Sequence, residues 1–445
     1  MDDSSEDERE LELLVALDNS TMTIIQAATS ALIAGAAYQD SVATPAPSRR
    51  TSRRTSRRAS RRASRRQTEP VTPQRPTTEY VKFLFDFESL SEQKCKQHFR
   101  FNKTEIKRLL PFMGLCLCKY EQGIQPSEEL AICIWLNRLS WPNKIHDMPH
   151  LFGVSPGYVD IVYNAVLKHF KVRFLPFLLF DSSRLTIEKI REYADVIGED
   201  GKIWAFIDGT TKHICRPTIN QEVSYTGHKA YHAYKWQAVV TPDGLCSSLA
   251  GPENGSRSDW RMYERSGIRE IIQRLFTTNN VPDDERPFIY GDAAYTSSTV
   301  TMGPWRRPAR GELTAQQRAF NKRLSKKRVS VENFFAMVQN SWSLSVMHTS
   351  HRLGSSPVGL VFASSAFLEN CKSCLRGSNQ VSRRFGMPPP SLEEYLSVFD
   401  IRRVMGIPRA IQDTESSEEE TESEEDETES EISDMESEIS DMGEN

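Results

Sequence analysis

Apolar positions fall into two patterns along the chain. Over residues 80–200 they recur at helical spacing with few strand signals, and over 202–375 they gather into short continuous runs separated by turn residues. In the first region Asn102 or Thr104 is placed to cap a helix running through Leu109 and Leu110. Leu130, Ile134 and Leu136 predict a helix over 128–139, entered through Pro126-Ser127. A short helix over 146–152, a Gly153-Val154-Ser155 turn and a longer helix over 156–170 follow, with Val159, Val162, Val166 and Phe170 facing inward. Short helix, glycine turn and longer helix after Ser-Pro form a helix-turn-helix layout, whose second helix either enters a DNA groove or simply packs in a bundle.

The second region begins with an apolar run at 203–207, the signature of a central strand buried on both faces. Strands over 231–241 and 245–249 flank Pro242-Asp243-Gly244, a hairpin turn. A helix over 258–276, a buried run at 288–290 and an amphipathic helix beginning near residue 330 complete the pattern. On that last helix Val331, Phe335, Val338 and Trp342 mark one buried face and leave Glu332 at its edge. Hairpin, helix, strand and helix around a central strand predict an α/β layered domain.

The flanks differ in kind. Residues 1–78 read as disordered apart from a short helix over 11–37, and they contain Ser-Arg-Arg-Xaa five times between Ser48 and Gln67. This repeat fits a nuclear import signal or phosphate-binding arm, and equally a low-complexity tract; Ser52, Ser56, Ser60 and Ser64 each follow Arg-Arg-Xaa, so phosphorylation there would cancel charge. The expected organisation is a disordered Arg-Ser tract over 1–78, a helical domain over 79–200, an α/β domain over 201–376, an extension over 377–412 with a short amphipathic piece from 392 to 404, and a disordered acidic tail over 413–445.

Charge sharpens this division. The tail holds 17 acids and no Lys or Arg, which leaves 43 acids against 56 basic residues elsewhere and a body of about +13 under a net charge of −4. Ten of those positive charges are the arginines from Arg49 to Arg66, so the folded part is only mildly basic, compatible with a polyanionic partner without requiring one. An apolar content of 38% supports a sizeable core. The eight cysteines show no framework spacing and Cys371-x-x-Cys374 lacks the second pair a zinc site needs, so ordinary thiols in a reducing compartment are expected. The Ala-rich run over 24–37 is too short to span a bilayer, and no membrane role is expected.

Candidate chemistry lies in three carboxylates. Asp208 in WAFIDG and Asp292 in PFIYGD each end an apolar run, which puts both at strand ends where ligands collect, and Glu332 faces them from a helix. Any one strand-end aspartate is more simply a turn cap. Three acids converging repel one another unless a cation neutralises them, and hard oxygen ligands without supporting His or Cys point to Mg²⁺ or Mn²⁺. Two such ions about 4 Å apart activate a water or 3′-hydroxyl and stabilise a phosphodiester's leaving oxygen. Asp259 has the same character as Asp292; a helix N-terminus gives it a capping reason to exist, which favours Asp292 as the ligand and leaves Asp259 as a further metal-site candidate. Lys322, Arg323, Lys326, Lys327 and Arg328 lead into Glu332 and read as a phosphate contact or a solvated run; Lys168 and Lys171 lie at the far end of the second helix of the helix-turn-helix layout. His213, His228 and His232 fit no zinc spacing and read as polar surface or DNA contacts.

WAFIDGT, YTGHKAYHAYKWQAVVTPDG, GPENGSRSDW, YGDAAY and FNKRLSKKRVSVENFF, in this order, resemble the transposases of the PIF/Harbinger superfamily over residues 95–375. Ser258 stands where the family usually has His, and Ala336 where it usually has Gly. The resemblance implies an RNase H-like (retroviral integrase) catalytic fold and a DDE triad of Asp208, Asp292 and Glu332. It implies cleavage of double-stranded DNA at transposon ends and joining of the freed 3′-hydroxyl to target DNA, without a covalent enzyme intermediate. It further implies nuclear localisation, a Myb-like DNA-binding partner and a homo-oligomer. The rival expectation is a domesticated nuclear protein that binds DNA or protein without cutting; a third is a general RNase H-like nuclease without end specificity.

Overall fold

The computed structural model describes residues 82–399 apart from 142–143, 182–183, 220, 228 and 353–355. The Arg-Ser repeats, the expected helix over 11–37, the acidic tail, His228 and the end of the 392–404 piece lie outside the described residues.

The helical region opens with α1 (Glu92–Phe99) and α2 (Lys103–Met113). Asn102 starts α2 in a capping box, its side chain accepting from the Glu105 N–H at 2.7 Å while Glu105 accepts from the Asn102 N–H at 2.8 Å. Next come α3 (Glu128–Ser140), capped by Ser127, the single turn α4 (Pro149–Phe152) and α5 (Pro156–Arg173), capped by Ser155 with Pro156 in its first turn. Gly153 ends α4 at φ 66°, and a Cβ there would lie 2.2 Å from the Phe83 carbonyl oxygen, so the turn admits only glycine. Val159, Val162, Val166 and Phe170 are buried as their spacing predicts. Two further helices, α6 (Leu175–Leu179) and α7 (Ile187–Ile197), lead to the sheet.

The sheet is built on β1 (Ile203–His213). A single turn, α8 (Gln221–Ser224), and the short β2 (Tyr225–Thr226) precede the hairpin of β3 (Tyr231–Val240) and β4 (Cys246–Asn254); β1 and β4 both pair antiparallel with β3. The helix expected over 258–276 is two helices, α9 (Asp259–Ser266) and α10 (Ile268–Thr278), broken where Gly267 takes φ 71°. After them β5 (Phe288–Tyr290) pairs parallel with β1, and β6 (Thr301–Met302) parallel with β5. Across the sheet the order is β4, β3, β1, β5, β6, with β2 on a further part of β3. This mixed sheet makes the domain α/β, as the pattern of runs predicts.

Two expectations about boundaries are corrected. β1 does not end at Asp208: it runs on to His213 because β3 pairs with it as far as His213↔Ala233, while its pairing with β5 stops at Phe206↔Tyr290. The helix that carries Glu332 does not begin near residue 330 but at residue 315, as α11 (Ala315–Ser341), started by a Thr314–Gln317 capping box. The chain then forms α12 (Val358–Leu375), α13 (Gln380–Phe385) and α14 (Leu392–Tyr395).

Helices cover both faces of β1. Ile203 and Phe206 look toward a core filled by α11 and α12 together with the N-terminal helices, where the ring of Phe367 of α12 lies tilted against that of Phe174, centroids 4.7 Å apart. Trp204, Ala205 and Ile207 look the other way, toward α7, α9 and α10. Cys371 and Cys374 are buried thiols on α12. The hairpin turn at Pro242-Asp243-Gly244 is buried too, which a turn tolerates only when its polar groups are met. Arg184 ion-pairs with Asp243 at 2.6 Å and Asp181 at 2.8 Å, and the Asn379 side chain donates to the Gly244 carbonyl at 2.8 Å.

Candidate active site

The register of β1 and β5 sets the first two carboxylates. Phe206 faces Tyr290 in the last pair of the two strands, and two residues further along each chain stand Asp208, still in β1, and Asp292, in the turn after β5, near enough to act on each other electrostatically. Ala293 and Ala294 are exposed, and the Ala294 N–H donates to Asp292 Oδ1 at 2.9 Å, fixing the turn that carries it. Asp208 is more enclosed: its side chain is 17% exposed and accepts from the Gly209 N–H at 2.8 Å.

Side-chain alternation along β1 then decides what each acid can meet. Asp208 shares its face with Phe206, toward α11, and Glu332 comes from α11 to the same face. Gly209 faces the opposite way, where a Cβ would lie 2.8 Å from Asp259 Oδ1. Asp259, the first residue of α9, therefore meets β1 on the face opposite Asp208. It pairs there with Lys235 at 2.7 Å, and Gln237 bridges its carbonyl (3.1 Å) to the Tyr295 hydroxyl (2.7 Å).

Between Asp208 and Glu332 lies Arg328. Its guanidinium ion-pairs with Asp208 through Nη1 and with Glu332 through Nη2 at 3.1 Å, one helical turn along α11. As placed, no three His, Cys, Asp or Glu side chains among the described residues are gathered closely enough to hold a metal ion. The donor set nonetheless fits a hard divalent cation. Burial, and then the nearby Asp292 and Glu332, push the Asp208 carboxyl up to about 6 against the opposing pull of Arg328 and the Gly209 N–H. Three carboxylates set against one guanidinium carry a surplus of negative charge that a divalent cation would neutralise.

The basic run divides. Arg323 and Lys327 both pair with Glu199, at 2.9 and 3.0 Å, and tie α11 to the end of α7, whereas Lys322 and Lys326 are exposed. Lys168 pairs with Glu121 at 2.8 Å and Lys171 is half-buried on α5. His213 stacks on His348 at 4.6 Å, and His232 Nδ1 lies 3.1 Å from Ser224 Oγ. The sequence pattern left Lys235, Gln237 and Tyr295 unassigned. Their signal was available: Lys235 and Gln237 are alternate polar positions in an otherwise apolar strand, and Tyr295 sits three residues after Asp292.

Residues 207–370 match the family described as DDE superfamily endonuclease. That span starts one residue before Asp208 and includes Asp259, Asp292 and Glu332; it supports a DDE endonuclease domain, of a superfamily that generally uses divalent metals. No curated protein and no solved structure matches the chain.

Proposed function

We propose that the chain is a metal-dependent DDE transposase or endonuclease of the PIF/Harbinger type, which cleaves DNA at transposon ends and joins the 3′-hydroxyl to target DNA. The observation that carries this reading is that Asp208 and Asp292 each stand two residues past the last pair, Phe206↔Tyr290, of adjacent parallel strands, while Arg328 links Asp208 to Glu332 of α11. Three antiparallel strands followed by two parallel ones, in the order found here, support an RNase H-like fold. Asp208, Asp292 and Glu332 would hold Mg²⁺ or Mn²⁺, which supplies charge for activating a water or hydroxyl and for the leaving oxygen. Asp259, paired to Lys235, would brace Gly209 from behind and so position Asp208. Arg328, once released from the acids, stands where a guanidinium can meet a DNA phosphate.

The α4–α5 turn at Gly153 and the Ser155 cap support a helix-turn-helix unit contacting double-stranded DNA. Nuclear localisation, a homo-oligomer and a Myb-like partner complete the proposal. One observation favours the rival, a DNA-binding protein that no longer cuts: Arg328 already neutralises Asp208 and Glu332. The two separate on DNA carrying the sequences that flank the gene, compared with shuffled DNA of equal composition. The transposase reading expects Mn²⁺-dependent cuts confined to the flanking sequences; equal cutting of both makes it a general nuclease, and tight binding with no cuts supports the rival.

A further inference from the structure

Of the seven tryptophans, Trp305 alone is exposed, at 54%, in the segment between β6 and α11. An indole left in water needs a reason, and here its backbone is held rather than loose. Asn321 of α11 clasps it from both sides, accepting from the Trp305 N–H at 2.9 Å and donating to the Trp305 carbonyl at 2.9 Å. The next residue, Arg306, donates to the Ala293 carbonyl at 2.8 Å, which fastens the segment to the turn that carries Asp292. Gly303 allows this close approach, since a Cβ there would lie 2.5 Å from the Tyr295 carbonyl oxygen. Trp305 is thus tied at once to the Asp292 turn and to a point on α11 seven residues, about 10 Å of helix, before Arg328.

The surroundings say what the ring would meet. Arg306, Arg307 and Arg310 of the same segment and Lys322, next to Asn321, are exposed; of these Arg307 pairs with an acid, Glu312 at 2.7 Å. Exposed cations flanking one exposed indole along the chain suit a polyanion that also presents flat π-faces, and do not suit the apolar centre of a protein interface. A paired base inside a duplex keeps both faces stacked and offers none, so the fitting ligand is an unpaired base of a DNA strand. Because Arg306 fastens the segment to the turn that carries Asp292, such a base would lie close to the acids.

We propose that Trp305 is a stacking platform for an unpaired base near the cleaved phosphate, so that the protein prefers opened DNA ends to fully paired ones. This rests on the reading of the site as a DNA-cleaving centre. The test uses the full chain in EDTA, with binding followed by fluorescence anisotropy on a blunt 20-bp duplex and on the same duplex with three terminal nucleotides unpaired, one of them 2-aminopurine. The wild type should bind the opened duplex about tenfold more tightly and quench the 2-aminopurine. Trp305→Ala should lose the preference and the quenching while keeping the blunt-duplex affinity, and Trp305→Phe should retain most of both. An unchanged preference in Trp305→Ala overturns the inference and leaves the cleavage reading standing, as does a wild type that binds both duplexes tightly and equally. Failure of the wild type to bind either duplex overturns both.

Discussion

Arg328 occupies the place where the proposed metal must neutralise charge, so replacing it should change metal affinity in a predictable sense. In Arg328→Gln the helix keeps a residue of similar length and helix propensity while the guanidinium is lost. Its link to Asp208 joins two side chains that are each 17% exposed, and hydrogen bonds to charged groups in such surroundings are worth about 1.5–3 kcal/mol. Its link to Glu332, 53% exposed, adds at most about 1 kcal/mol. A metal entering the wild type must displace both contacts; in the variant it displaces neither. About 2 kcal/mol of competition removed corresponds to roughly thirtyfold tighter Mn²⁺ binding. The assay is calorimetric titration of Mn²⁺ without DNA at pH 8, above the wild-type titration of Asp208, and at pH 7 for comparison, because losing Arg328 raises that carboxyl further. Arg328→Lys should stay close to wild type. Unchanged or weaker Mn²⁺ binding by Arg328→Gln would refute the idea that the guanidinium stands in for the cation.

Three further outcomes concern stability. The Asp208 carboxyl sits near 6 against an ordinary 3.8, so the folded state prefers it protonated and loses stability as pH rises from about 4 to 6. Asp208→Asn should therefore raise the melting temperature at pH 8, by up to ~3 kcal/mol of stability, and leave it nearly unchanged at pH 4; equal effects at both would contradict this. Lys212 is buried against Phe362, and burial pulls its amine down to about 7, so the charged form costs stability below that pH and the cost fades as pH rises toward 10.5. Lys212→Met should stabilise the protein by a few kcal/mol (~2–4) at pH 6 and hardly at all near pH 10, as read by chemical denaturation. Arg184→Met would take away the cation that faces Asp181 and Asp243 in the interior and should cost ~3–5 kcal/mol; an unaltered denaturation midpoint would show that the cluster is not structural.

How much of this was legible in the sequence depended on the range of the forces involved. Local signals read correctly: the Asn102 cap, the Ser155-Pro156 start, the Pro242-Asp243-Gly244 turn, and the buried stripe of Val331, Phe335, Val338 and Trp342. The continuation of β1 past Asp208 carried no apolar signal, since Gly209-Thr210-Thr211-Lys212-His213 is polar and is held extended by pairing with β3. The first half of α11 is rich in Lys and Arg, which hid the helix, although Thr314 and Gln317 marked its start. For the proposed site, residue types and order singled out Asp208, Asp292 and Glu332, but which face of β1 Asp208 and Asp259 meet follows only from register. Register is also what puts Asp259 behind Gly209, and what brings Arg328 back across 120 residues to Asp208.

In the proposed reaction Asp208, Asp292 and Glu332 act together to cut DNA. Glu332 is the member to change, because at 53% exposure its replacement by Gln removes a charge and little packing. Supercoiled plasmid carrying the gene's flanking sequences is incubated with Mg²⁺ or Mn²⁺, and its nicking and linearisation are followed on gels alongside a binding measurement. The wild type should produce cuts bearing 3′-hydroxyl ends, and Glu332→Gln should bind the DNA as well while cutting at least a hundredfold more slowly, on the order of what the loss of one electrostatic catalytic group costs. Cutting by Glu332→Gln at the wild-type rate would contradict the account.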